Sequence, residues 1–271
     1  MSTSRAKLWA GRIGWGERKK KMSKRMTTEE LKRHIAGALG ELEGLLGLWL
    51  SSVNEADQKR AQIMAYWIRT YTSMIRRENE FNPASIPRLA RRQIVNVDFG
   101  FRVGAELGGL HYAVVLDKKN SMNGDTVTVV PLGSLKEHYK ENRNRVILED
   151  GIYTALSEKV ESQLSEARAI IDSVANDKEL QEMDSSERMA EAMKRFAVAK
   201  NKLDSAETSI KKMEKLKQGS VANVSQIATV SKLRIREPVT PQSALYGVKA
   251  SEHDMEKIER ALVGLYISKG S

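Results

Sequence analysis

The sequence predicts an α+β protein: a small antiparallel β-sheet, an N-terminal helical hairpin, and a long antiparallel coiled-coil hairpin inserted within the sheet. Three observations carry this. β-Branched runs, glycines and a central histidine come together only between Arg92 and Ser134. Apolar residues recur at spacings of three and four over residues 27–80, the period of a helix face. A seven-residue repeat runs from Met189 to Met213, the period of a helix–helix seam.

Residues 1–26 form a basic tail. It holds nine Lys/Arg and one Glu, so +8 of the chain's net +10 lies there, with Trp9 and Trp15 among the charges. Such a segment reads either as a nucleic-acid arm, with cations on phosphates and indoles on bases, or as a solubilising tail. Residues 27–87 hold the helical hairpin and a linker. Thr27 and Glu30 make a capping box. Leu31, Ile35, Leu39, Leu42, Leu46 and Trp49 form the first apolar stripe. Asn54 opens a second helix with a stripe of Met64, Trp67, Ile68, Tyr71, Met74 and Ile75, and Pro83 and Pro87 end it. This pair is expected to pack on the sheet or on a second copy.

Residues 88–151 begin the sheet. Val95–Phe99, His111–Leu116 and Thr126–Leu132 read as Val-rich strands. Asn123-Gly124 predicts a tight reversal, and Gly100, Gly104, Gly108 and Gly109 punctuate the first connection. Residues 152–218 are the coiled-coil insertion. Val160, Leu164, Ala167, Ile171 and Val174 mark one arm. On the return arm Met189, Phe196, Leu203 and Ile210 repeat every seven residues, as do Ala192, Ala199, Ala206 and Met213. Large and small residues are expected to share one seam between two close helices. Asp184 and Glu187 cap the return arm, and at 1.5 Å per residue each arm reaches on the order of 45–50 Å. The alternative is a helical pair folded back on the sheet. Residues 219–271 supply one or two strands within Val221–Ile235, stopped by Pro238 and Pro241. A helix capped by Ser251 follows, with Met255, Ile258, Leu262 and Leu265 on its buried face.

Composition narrows the function. A net charge of +10 and an isoelectric point near 9.6 favour an anionic partner. With no cysteine there are no disulfides and no thiolate metal sites. His34, His111, His138 and His253 lack metal-ligand spacing, and no phosphate-binding glycine motif or nucleophile elbow is present. No apolar run approaches the roughly 20 residues needed to span a bilayer. The basic N-terminus lacks the apolar core of a secretory signal. The expectation is a cytoplasmic protein with no cofactor and no metal.

The same residues carry a family resemblance. Val97-Asp98-Phe99, Gly104-Ala105-Glu106, Gly108-Gly109-Leu110-His111-Tyr112-Ala113-Val114-Val115-Leu116 and Thr128-Val129-Val130-Pro131-Leu132 resemble the MazF/PemK toxin endoribonucleases. Ser225-Gln226-Ile227, Ser231-Lys232-Leu233 and the helix from Glu252 to Ile267 resemble that family's last strand and closing helix. The resemblance covers about residues 92–149 and 219–268. It implies a small SH3-like barrel, a homodimer, single-stranded RNA as substrate and a cognate antitoxin as partner.

It also implies a chemistry. The ribose 2′-hydroxyl attacks the adjacent phosphate without a metal, leaving a 2′,3′-cyclic phosphate and a 5′-hydroxyl. That step needs a base, an acid and donors to the charged phosphorane. Where the family carries an arginine this chain has His111, and where it carries a threonine the chain has Gly133 followed by Ser134. The resemblance therefore casts His111 as acid–base group or phosphorane donor, Ser134 as assisting hydroxyl and Glu106 as orienting carboxylate. Ser134 would reach the site only if the strand end bulges, because adjacent side chains on a strand face opposite ways. Gly108, Gly109, Arg102, Lys118 and Gln226 are the expected RNA contacts. The missing threonine keeps a second reading open: a catalytically degenerate module that binds nucleic acid or protein, with the coiled coil docking a partner.

Overall fold

The computed structural model describes residues 25–137, 140–149, 151–214 and 219–268. The basic tail up to residue 24, with its two tryptophans, lies outside the described residues. The chain divides into two units, Met1–Tyr66 and Trp67–Ser271.

In the first unit, helix α1 spans Thr28–Leu50 and opens with the expected capping box. Thr27 Oγ1 accepts from the Glu30 amide at 3.2 Å, and Glu30 Oε2 accepts from the Thr27 amide at 2.8 Å. Helix α2 spans Glu55–Arg77, beginning in the first unit and ending in the second. The intervening turn is tied by the Ser52 hydroxyl to Asp57 Oδ2 at 2.9 Å, and the Arg60 guanidinium stacks on the Trp49 ring at 4.5 Å. None of the α1 residues is buried. Leu31, Ile35 and Leu39 of the apolar stripe are exposed, Leu39 at 61%, whereas Leu42, Leu46 and Trp49 are half-buried, so the stripe read from the sequence is only partly covered.

The second unit is built on a seven-stranded antiparallel sheet. Its strands are β1 (Ile94–Asp98), β2 (Leu110–Val115), β3 (Thr126–Ser134), β4 (Arg145–Leu148), β5 (Ser220–Asn223), β6 (Ala228–Ser231) and β7 (Ile235–Glu237). The hydrogen-bonded order is β4-β5-β3-β2-β1-β7, with β6 also paired to β3. Strand β3 serves two neighbours. Thr126–Val129 pair with β6, and Leu132–Ser134 pair with β5. The region after Gly219 thus supplies three short strands separated by 3-10 turns at Val224–Gln226 and Lys232–Arg234, where the pattern predicts one or two. The turns break an alternation that reads as continuous in one dimension.

Alternation sorts the side chains into two cores. One face carries Ile94, Val114, Val130, Leu132, Val146, Leu148 and Ala222. It is covered by helix α6 (Glu252–Tyr266), through Met255 and Ile258, and by Ile152 and Leu156 at the root of the inserted hairpin. The other face carries Val95, Val97, Ala113, Val115, Val127 and Val129, closed by Ile86, Leu89 and Phe99.

The insertion leaves the sheet after β4 and returns at β5. These two strands are paired, Leu148 opposite Ser220, so the hairpin starts and ends at one point. Helices α3 (Gly151–Asn176) and α5 (Ser185–Met213) run antiparallel, with the short α4 (Lys178–Glu182) at the tip. Gln163 Nε2 donates to Ser205 Oγ at 2.7 Å, Lys202 pairs with Glu166, and Arg195 pairs with Asp177 at 2.7 Å. The seam differs from the expected one. Ala167, Ala199, Ala206 and Ser209 are buried between the helices, whereas Phe196 is 47% and Met189 61% exposed. Small residues let the helices approach closely, and the large heptad residues are turned outward.

The reversal between β2 and β3 also differs. Asn123 and Gly124 do not adopt positive φ, so it is not the two-residue turn predicted. The loop is wider and held from within. Asn120 Nδ2 donates to Asp117 Oδ2 at 2.7 Å and to the Thr126 carbonyl at 3.0 Å. The buried Lys232 amine donates to the carbonyls of Ser121 at 2.6 Å and Met122 at 3.2 Å. Those side-chain bonds make the turn without a left-handed residue.

Candidate active site

The site is framed by the β1–β2 connection. Its base is closed by the Phe99 amide on the Gly109 carbonyl and the Gly109 amide on the Gly100 carbonyl, both 2.8 Å. Gly100 holds φ +79°, and a β-carbon there would meet the Trp67 indole at 2.6 Å. A β-carbon at Gly108 would meet the Gly100 carbonyl oxygen at 2.7 Å. Glycine is required at both positions for the loop to fold on itself. The described contacts of Gly108 and Gly109 are therefore with the loop.

Gln226 fixes the loop from across the sheet. Its Oε1 accepts from the Leu107 amide at 2.5 Å and its Nε2 donates to the Ala105 carbonyl at 3.1 Å. The side chain expected as an RNA contact thus has both ends of its amide committed to the loop backbone. Arg102 Nε donates to the Phe99 carbonyl at 3.0 Å, and a terminal nitrogen lies 3.7 Å from Glu106 Oε2. A cleft of about 460 Å³ opens beside this loop, lined by Phe99, Arg102, Glu106, Pro131, Ser225 and Gln226, among others. Three of the expected site residues, Arg102, Glu106 and Gln226, meet there.

Register places the others. His111, at the start of β2, stands opposite Val97 of β1. Strands β2 and β3 pair from Val115–Val129 to Ala113–Pro131. Two residues onward from that last pair lie His111 and Gly133, on the same face as each other and as the cleft residue Pro131. The His111 ring is half-buried, and among the described residues it has no hydrogen-bond partner. Glu106 pairs with Arg102 rather than with this ring. Tyr112 faces the other way, under Lys212, whose amine lies 5.6 Å from the ring centroid. Burial and then the Glu237 carboxylate push its phenol upward.

The β3–β5 register runs without a break through Gly133–Val221 to Ser134–Ser220. No bulge turns Ser134 around, so its side chain lies on the face opposite Gly133 and His111. Lys118 follows the far end of β2, on the order of 13 Å of strand from His111. The structure therefore gathers Arg102, Glu106 and Gln226 at the cleft, sets His111 on the cleft's face, and leaves Ser134 and Lys118 elsewhere.

One residue that no sequence motif singles out belongs with this group. Asn223, at the end of β5, holds its side-chain nitrogen 3.5 Å from where a β-carbon on Gly133 would be. Nothing local marks it: only the β3–β5 pairing carries it to Gly133. Among the described residues, no three His, Asp or Glu side chains group as ligands for a metal ion, and no helix is long and apolar enough to cross a membrane.

Comparison with known proteins adds one match. Residues 90–213 fit the family model described as PemK-like, MazF-like toxin of type II toxin-antitoxin system. No curated protein matches the chain. The matched segment contains β1–β4 and the inserted hairpin, and strands β5–β7, which lie beyond it, complete the same sheet. Residues 90–213 are thus similar to the PemK-like, MazF-like toxins.

Proposed function

We propose that this protein is a toxin-like, metal-independent endoribonuclease acting on single-stranded RNA. The observation that carries the reading is the cleft beside the β1–β2 loop, on the sheet face that also holds His111. In the proposed step the ribose O2′ bonds to phosphorus and the bond from phosphorus to O5′ breaks. The 2′-hydroxyl proton goes to a base, and O5′ receives a proton as it leaves. His111 is the group suited to these transfers, since histidine both accepts and donates a proton near neutral pH. Arg102 supplies positive charge at the cleft, held at its base by the Phe99 carbonyl. Glu106, paired with Arg102, orients it, a role shifted from the His111 partner expected of it. Gln226, Gly108 and Gly109 act by holding the loop that forms the cleft wall. Ser134 has no part in this step, because it faces away. A homodimer and a cognate antitoxin belong to the same reading through the family.

The test is cleavage of a long mixed-sequence RNA in EDTA by the wild type and by His111→Ala. Cuts bearing 5′-hydroxyl ends that fall at least 100-fold in the variant support the reading. Intact RNA that is nevertheless bound supports the second one, a binding module without catalysis. What favours that alternative is Gly133, which leaves the strand end without a hydroxyl on the His111 face.

A further inference from the structure

We infer that Asn223 donates its side-chain amide to the scissile phosphate; this rests on the ribonuclease reading above. Of the sheet's two faces, one is filled by the core beneath α6 and the hairpin root. On the other, the apolar cluster continues past the row Ala113–Pro131 on β1 and β7, where Val97 stands opposite His111 and pairs with Ile235. On β2 and β3 the residues of this face then change to His111 and Gly133. Continuing the registers along this face sets His111 on β2 level with Gly133 on β3, and places Asn223 on β5, opposite Arg145 of β4, diagonally from Gly133. Asn223 and Arg145 are direct partners across β4 and β5, and Gly133 pairs with Val221, two residues before Asn223. His111 and Asn223 thus flank β3 at Gly133, next to the cleft residue Pro131.

Asn223 is the distinctive member. It is half-buried, and among the described residues its side chain has no hydrogen-bond partner, nor does it cap the 3-10 turn that follows. An amide carried on a β-strand, held over a glycine and left unpaired is a pre-positioned donor. Gly133 is not demanded by its backbone, because it lacks positive φ. A β-carbon there would meet only the Asn223 nitrogen, at 3.5 Å. Its smallness keeps open the space over which the amide sits. A phosphate there would lie between the His111 ring and the Asn223 amide. The non-bridging oxygens of the pentacoordinate phosphorane carry more charge than those of the tetrahedral ground-state phosphate, so a fixed amide favours the transition state over the bound substrate.

The experiment compares wild type, Asn223→Leu, Gly133→Val and His111→Ala on one mixed-sequence RNA in EDTA. Thermal unfolding of each confirms that the sheet is intact. Leucine keeps the size of asparagine and removes the donor; valine at 133 crowds the amide from its place. A loss of about 100-fold in cleavage rate is expected for each, the scale of removing one transition-state donor. RNA binding should change less than about threefold. A second readout follows the side-chain amide signals of Asn-labelled protein while an uncleavable 2′-O-methyl RNA is added. The Asn223 pair should shift. If Asn223→Leu cleaves within about threefold of wild type while His111→Ala is inactive, Asn223 is no donor and the ribonuclease reading stands. An Asn223 signal that stays unmoved at saturating RNA also rules out the donor role and leaves that reading in place. If wild type binds RNA and leaves it whole, the ribonuclease reading and this assignment fall together.

Discussion

Lys159 shows how a single side chain is bound by its surroundings. It lies on α3, and its amine donates to the carbonyls of Ala244 at 2.8 Å and Ser243 at 3.2 Å. Burial pulls its pKa down to about 8, against a weaker upward pull from Glu237. An unfolded lysine titrates near roughly 10.4. Between about pH 8 and that value the folded chain binds fewer protons at this residue than the unfolded chain, so its contribution to stability rises with pH there. Urea unfolding of wild type and Lys159→Met at about pH 7.5 and about pH 10 checks the sign. The difference between the two proteins should move in favour of wild type at the higher pH; a constant difference would refute the lowered pKa. Asn223 makes a related point at the same scale. Its identity says little, and only its position over Gly133 gives it a role.

At the scale of elements, the inserted hairpin is where sequence periodicity and structure part. The repeat every seven residues is legible, and so are the two helices and the Asp184 cap, which accepts from the amides of Ser186 at 2.7 Å and Glu187 at 3.2 Å. The side of α5 that faces α3 is not legible, because two interleaved series, one large and one mostly alanine, share the same period. Close packing selects the small series. Ala206→Leu should therefore separate the helices and destabilise the protein by about 1–3 kcal/mol. Leu203→Ala, at a position 41% exposed, should cost under about 1 kcal/mol. Paired urea denaturation curves separate the cases, and the reverse ranking would overturn this seam. Helix α6 is legible because its stripe has one interpretation: Ser251 accepts from the Asp254 amide at 3.1 Å, and Met255 and Ile258 are buried.

For the molecule as a whole, the insertion divides into a root that belongs to the sheet and a shaft that belongs to itself. Ile152 and Leu156 lie in the core beneath β3 and β5, with Met213 packed against them. Lys212 reaches Glu237 on β7. Past Gln163 and Ser205 the two arms contact chiefly each other. Removing 166–202 and joining the arms with a short Gly-Ser loop should leave the sheet folded, with an unfolding temperature within about 5 °C of wild type. Removing 152–218 should strip one core of two large buried side chains, at about 2–5 kcal/mol each, and abolish stable folding. Circular dichroism and thermal unfolding of both deletions decide this. Equal stability of the two would show that the root contributes nothing to the core.

The sequence by itself determined the α+β class, the long helices with their caps, the first three strands and the resemblance to the MazF/PemK toxins, because each is written in local patterns of period, capping and motif. It also marked Arg102, Glu106, His111 and Gln226, which the fold sets around one loop and one sheet face. Three matters were decided only by tertiary structure. Ser134 lies away from His111 because strand register, a relation between segments far apart in sequence, sets which face each side chain takes. Gln226 braces the loop because its amide meets backbone groups far back along the chain, at Ala105 and Leu107. Asn223 joins the site because β5, beyond the whole hairpin, pairs with the end of β3. Local pattern specifies elements. Which side chains share a face is specified by pairing at a distance, and that is where the chemistry of this protein is set.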